Sequence, residues 1–76
     1  MNRTRVMIVD DHQVVRAGLK TLINGQPDLA VVTEASSGRE AMEQLRQHTV
    51  DVLLLDLSLP DVSGLDVLKH AKAHYE

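Results

Sequence analysis

Asp10-Asp11 and Asp56 each close an unbroken apolar run, Val6-Met7-Ile8-Val9 before the pair and Val52-Leu53-Leu54-Leu55 before the single acid. Carboxylates at strand ends can hold a divalent cation, act as nucleophiles, or merely mark where a strand meets its loop. For any one acid the last reading is the better one, and Asp11 would then also cap the following helix. Three acids lying 45 and 46 residues apart in sequence weigh differently if the fold gathers them at one edge. Crowded carboxylates repel one another, so such a cluster is costly unless a cation or an imported charge offsets it. Oxygen ligands at a water-accessible site suit Mg²⁺, which takes one or two protein carboxylates and keeps several waters. A metal held there also offsets phosphate charge, which makes the pocket suitable for phosphoryl transfer onto a carboxylate.

The elements that must position these acids follow from periodicity. Four apolar residues without alternation predict strands covered on both faces. Between the two runs, Val15, Leu19, Leu22 and Ile23 recur at helical spacing, with Arg16, Lys20 and Asn24 turned elsewhere. This predicts a helix over about residues 13–25, stopped by Gly25 and Pro27. Leu29 to Ala35 reads as a second strand, and Thr33 and Glu34 suit a sheet edge. Ser37 and Glu40 form a capping box before a helix whose apolar stripe is Ala41, Met42 and Leu45, ending near His48. After Asp56 comes a loop punctuated by Pro60 and Gly64. Ser63 then opens a third helix carrying Leu65, Leu68 and Ala71. The order β-α-β-α-β-α implies a parallel sheet with right-handed crossovers. With the second and third strands on opposite sides of the first, the sheet order is 2-1-3. The first helix then lies on one face and the other two on the opposite face. The switch point between strands one and three, where ligands bind in such sheets, falls at the acids.

Composition narrows the function classes. The 76 residues carry 11 acids and 8 bases, a formal charge of −3, and no cysteine. Disulfides and thiolate metal sites are excluded, which fits a reducing, cytoplasmic compartment. No apolar run approaches the roughly 18 residues of a membrane span, and the apolar stretch after Met1-Asn2-Arg3-Thr4 is too short for a signal peptide. Lys20, Arg39 and Arg46 are scattered, so a nucleic-acid surface is not expected. The four glycines are isolated and form no phosphate loop. Met7 and Met42 read as core filler. His70 and His74, with Asp66 before them, have a metal-compatible spacing but no further ligand nearby, so they read as an exposed polar stripe. His12, just after the acidic pair, is placed to influence metal access but reads rather as a partly exposed residue of the first helical turn.

Val6-Met7-Ile8-Val9-Asp10-Asp11-His12, followed by Val52 to Pro60 and Gly64, resembles the receiver domain of bacterial two-component response regulators. The Asp-Asp-His start, Val15-Arg16-Ala17-Gly18-Leu19 and the Asp-Leu-Ser-Leu-Pro loop are most similar to the NarL/FixJ type. The resemblance implies an α/β, flavodoxin-like (βα) receiver fold. It implies Asp56 as phosphoacceptor, Mg²⁺ held by Asp10, Asp11 and Asp56 with the backbone carbonyl of Ser58, and a sensor histidine kinase as phosphodonor. Pro60 and Gly64 match the residues that shape the loop into the third helix. Residues 1–76 match the N-terminal part of such a domain. The family's Ser/Thr after the fourth strand, its Lys after the fifth, and a DNA-binding output domain have no counterpart here. Lys69 and Lys72, on the third helix, do not fill the Lys role.

Two further expectations follow. The outer edge of the third strand is apolar and lacks Pro, Lys or a bulge signal, so a homodimer pairing two third strands antiparallel is expected. The face carrying the first helix is left with an exposed apolar patch. The function expected is phosphorelay signalling, not enzymatic catalysis. The alternative is a phosphotransfer-deficient, self-associating interaction fragment. A metal-dependent phosphatase fits less well, because Ser58 stands where that chemistry wants a second acid.

Overall fold

Val6, Met7, Ile8 and Val9 are all buried, as a strand covered on both faces requires. They form most of β1 (Thr4–Val9), followed by α1 (Gln13–Asn24), β2 (Leu29–Ala35), α2 (Gly38–Gln47) and β3 (Val52–Leu55). The computed structural model describes residues 3–56. The readings made for Ser58, Pro60, Gly64 and the third helix lie outside the described residues. The three strands are parallel in the order β2-β1-β3, as the crossover argument requires.

The two faces of the sheet are covered unequally. On one, Met7, Val9 and Ala35 pack with Ala41 and Leu45 of α2, flanked by Met42, Val50, Leu53 and Leu55. Burying each of these larger side chains contributes about 1.5–3 kcal/mol. The start of α2 follows the capping box in part. Ser37 Oγ accepts from the Glu40 amide at 3.1 Å, while the Glu40 carboxylate accepts from the amide of Ser36 at 3.1 Å, one residue before the cap.

On the other face, α1 corrects the sequence reading in part, for Leu19 and Ile23 are half-buried as expected while the rest of the expected face is not. None of its residues is buried, and Val15 and Leu22 are 44% and 70% exposed. The side turned to β2 is instead the polar one. Arg16 and Lys20 reach Glu34 at 3.1 and 3.2 Å, and Asn24 Oδ1 accepts from the Val31 amide at 2.9 Å. The apolar periodicity was real but ambiguous, since two stripes offset by one residue share Leu19 and Ile23. Asn24 meets β2 where its pairing with β1 shifts. Val6 pairs with Val31 but Met7 with Thr33, leaving Val32 as the extra residue of a bulge. Apolar patterning gives no signal for that bulge.

At the start of β3, Asp51 is locked to Arg5. The two guanidinium contacts are 2.9 and 3.1 Å, the Arg5 amide donates to the same carboxylate at 2.8 Å, and the Asp51 amide donates to the Arg5 carbonyl at 2.8 Å.

Candidate functional site

β1 and β3 run parallel and in register, Val9 opposite Leu55, so the next residue of each strand leaves the sheet at the same level. The main chain fixes this. The Asp56 amide donates to the Val9 carbonyl at 2.9 Å, and the Asp10 amide donates to the Ala35 carbonyl at 3.1 Å. Parallel pairing thus carries two acids, 46 positions apart, to one edge, with Asp11 beside them. Asp10, Asp11, His12 and Asp56 each offer a ligand atom, all within 4.8 Å of one another. The Asp10 side chain is 16% exposed and that of Asp11 35%, so the cluster opens to water.

Asp10 is held at several atoms. Besides its amide bond to β2, its carbonyl accepts from Arg16 Nη1 at 2.7 Å and its Oδ1 accepts from the His12 amide at 2.8 Å. The capping reading therefore moves by one residue. His12, not Asp11, is the N-cap of α1, and Asp10 rather than Asp11 closes the turn before it.

The donor set tests the metal expectation. Three carboxylates supply hard oxygen ligands at a water-accessible edge, which fits Mg²⁺. The pair also draws in a nearby nitrogen of the chain. His12 Nδ1 lies 2.7 Å from Asp10 Oδ1 and 3.1 Å from Asp11 Oδ1. Its pKa is raised above the ordinary histidine value, chiefly by the hydrogen bond to Asp10 and then by the charge of Asp11. An imidazole held between two carboxylates marks this as a place where positive charge is favoured. Below the acids, an open hollow of about 330 Å³ runs between the sheet and α1, lined by Ile8, Leu19 and Leu54 with Asp10 and Asp56 at its mouth.

Asp10, Asp11 and Asp56 are thus brought together as the sequence suggested. Arg16 was not foreseen as a member of the site, and His12, placed beside the acidic pair by the sequence, was read as a first-turn residue rather than a member. The Asp-x-His spacing was a usable signal for His12, since an acid two residues before a helix start commonly folds back on the chain. No local signal marked Arg16, because its partners are the carbonyl of Asp10 and a side chain on another strand.

Among the described residues no helix is long and apolar enough to cross a membrane. Comparison with known proteins identifies the family. The model of the response regulator receiver domain family matches residues 6–76. Over 63 residues the chain is 48% identical to the transcriptional regulatory protein UhpA of Escherichia coli K12, covering 83% of this chain and 32% of UhpA. It is similar to the response regulator domain of Thermotoga maritima CheB, with 35% identity and a TM-score of 0.91 over 97% of this chain and 55% of that one. It also resembles a chain in the complex of the CheA3 P1 domain with CheY6 from R. sphaeroides. There the identity is 38% and the TM-score 0.84, over 95% of this chain and 57% of that one. The chain therefore spans about a third of UhpA and a little over half of each solved chain. With its parallel 2-1-3 sheet and its acids at the switch point, this chain belongs to the response regulator receiver domain family.

Proposed function

We propose that the chain accepts a phosphoryl group on Asp56, with Mg²⁺ held by Asp10, Asp11 and Asp56, as the receiving step of a two-component phosphorelay. One observation carries this reading: the three carboxylates converge within 4.8 Å at the sheet's switch point. An Asp56 oxygen attacks the phosphorus of a phosphohistidine on the donor kinase. The new P–O bond forms as the P–N bond breaks, and the leaving imidazole takes a proton from water. When bound, Mg²⁺ offsets the charge of the phosphoryl oxygens. Asp10, Asp11 and the Ser58 carbonyl orient the site rather than react. Family membership and the likeness to a chain in a CheA3–CheY6 complex support a histidine kinase as donor. They also favour this reading over a phosphotransfer-deficient fragment. Any action on DNA falls to an output domain, since the chain's formal charge is −3. The setting that fits this chemistry is the cytoplasm.

A homodimer through β3 is compatible with this reading. Among the described residues no strand pairs with the outer edge of β3, and Val52 and Leu54 are 42% and 38% exposed.

Intact-mass analysis after incubation with an acyl phosphate and Mg²⁺ tests the proposal. One phosphoryl adduct is expected on the wild type, absent in Asp56→Asn and absent when the metal is chelated. An adduct of equal yield in Asp56→Asn, or none on the wild type from either an acyl phosphate or a phosphorylated kinase, overturns it.

A further inference from the structure

Arg16 sits on α1, yet its guanidinium spans three elements. Nη1 donates to the Asp10 carbonyl at 2.7 Å, in the segment joining β1 to α1, and Nε donates to Glu34 on β2 at 3.1 Å. The side chain is 15% exposed, on a helix that has no buried residue. A largely covered cation on an otherwise loosely seated helix therefore grips the backbone of a proposed metal ligand. The planar fork suits this task, because it holds two acceptors at a fixed separation while remaining charged.

Coulomb's law alone gives Arg16 the wrong role. A fixed positive charge beside an acidic pocket disfavours a divalent cation there. A residue kept for electrostatics at this site would be neutral or acidic. The geometry supplies a reason for a cation to be there. Asp10 is bound through its amide to Ala35 and through Oδ1 to the His12 amide, and Arg16 holds the remaining main-chain polar atom, its carbonyl. With all three fixed, the free Asp10 oxygen and the neighbouring Asp11 start from one orientation, and metal binding need not order the turn.

We infer that Arg16 is a positioning residue for the Mg²⁺ site, tying the Asp10 carbonyl to Glu34 so that the carboxylates of Asp10 and Asp11 are preset toward Asp56. This rests on the metal reading proposed above. Lys20 also contacts Glu34, at 3.2 Å, and serves as a control because the structure shows it bonded to Glu34 and not to the Asp10 carbonyl.

Mg²⁺ titrations of the wild type, Asp11→Ala, Arg16→Met, Arg16→Lys and Lys20→Met test this, with circular dichroism to establish that each variant is folded. Partners that orient metal ligands typically cost about 10–100-fold in affinity when lost, and about tenfold weaker binding is expected for Arg16→Met. Arg16→Lys, which keeps the charge but loses the fork, should show a smaller loss, and Lys20→Met should bind as well as the wild type or better. Tighter or unchanged binding in folded Arg16→Met overturns the inference. If Arg16→Met does not fold, wild-type affinity in Arg16→Lys overturns it instead. Binding that Asp11→Ala leaves unaltered would overturn the metal reading itself. Loss in Asp11→Ala with full retention in the Arg16 variants overturns the positioning role alone.

Discussion

Arg5 and Asp51 join the entry ends of β1 and β3 through four hydrogen bonds, two of them a bidentate guanidinium–carboxylate contact at 2.9 and 3.1 Å. Four residues further along each strand, the same register sets Val9 opposite Leu55 and so places Asp10 level with Asp56. A slip of one residue would turn every side chain of β3 to the other face and separate the acids. The clamp at one end of the sheet thus helps determine the geometry at the other.

This clamp and the Arg16–Glu34–Lys20 cluster make stability depend on pH in a defined direction. The Asp51 carboxyl is held below its ordinary value by the Arg5 side chain and then the Arg5 amide, and that of Glu34 by Arg16 and then Lys20. A carboxylate whose folded pKa is depressed stabilises the fold above its unfolded value and loses that contribution as pH falls through the folded value. Asp51→Asn and Glu34→Gln should therefore lower Tm near neutrality. The gap to the wild type should close as pH falls below about 3.8 for Asp51 and about 4.5 for Glu34. For half-exposed Glu34 the effect should be no more than roughly 0.5 kcal/mol. Thermal melts across that range check it, and a gap that widens toward acid would contradict it.

Met7 is fully buried at the centre of the core cluster. Met7→Ala should cost about 2–5 kcal/mol, enough to unfold a small domain of marginal stability. Val14→Ser, at an 85% exposed position, should change stability by less than about 0.5 kcal/mol. Denaturant titration of the two variants distinguishes them, and similar losses in both would mean the core lies elsewhere.

The outer edge of β3 should drive self-association. Val52 and Leu54 are exposed along a strand whose outer backbone groups have no strand partner among the described residues. Light scattering should show a dimer at high micromolar concentration, and Leu54→Lys should dissociate it. A compact wild-type monomer that unfolds cooperatively at that concentration would contradict this.

The sequence made the sheet legible because its two apolar runs are short, unbroken and each closed by acid, and because parallel pairing with right-handed crossovers leaves few topologies. The same signals located Asp10, Asp11 and Asp56. The orientation of α1 was not legible. Leu19 and Ile23 belong equally to the stripe containing Val15 and Leu22 and to the one containing Arg16 and Lys20. The choice was made by Glu34 and the Val31 amide on β2. The contacts of Arg16 and the N-cap position of His12 were not legible for the same reason. Their roles come from partners that only the folded backbone supplies.

The proposed function turns on Asp10, Asp11 and Asp56 forming one Mg²⁺ site. A residue-by-residue NMR titration with Mg²⁺ tests it most directly. Saturable shifts of the Asp10, Asp11, His12 and Asp56 amides with a single dissociation constant are expected, weakened in Asp11→Ala. Shifts scattered over the acidic surface without saturation, or equal affinity in the wild type and Asp11→Ala, would contradict it.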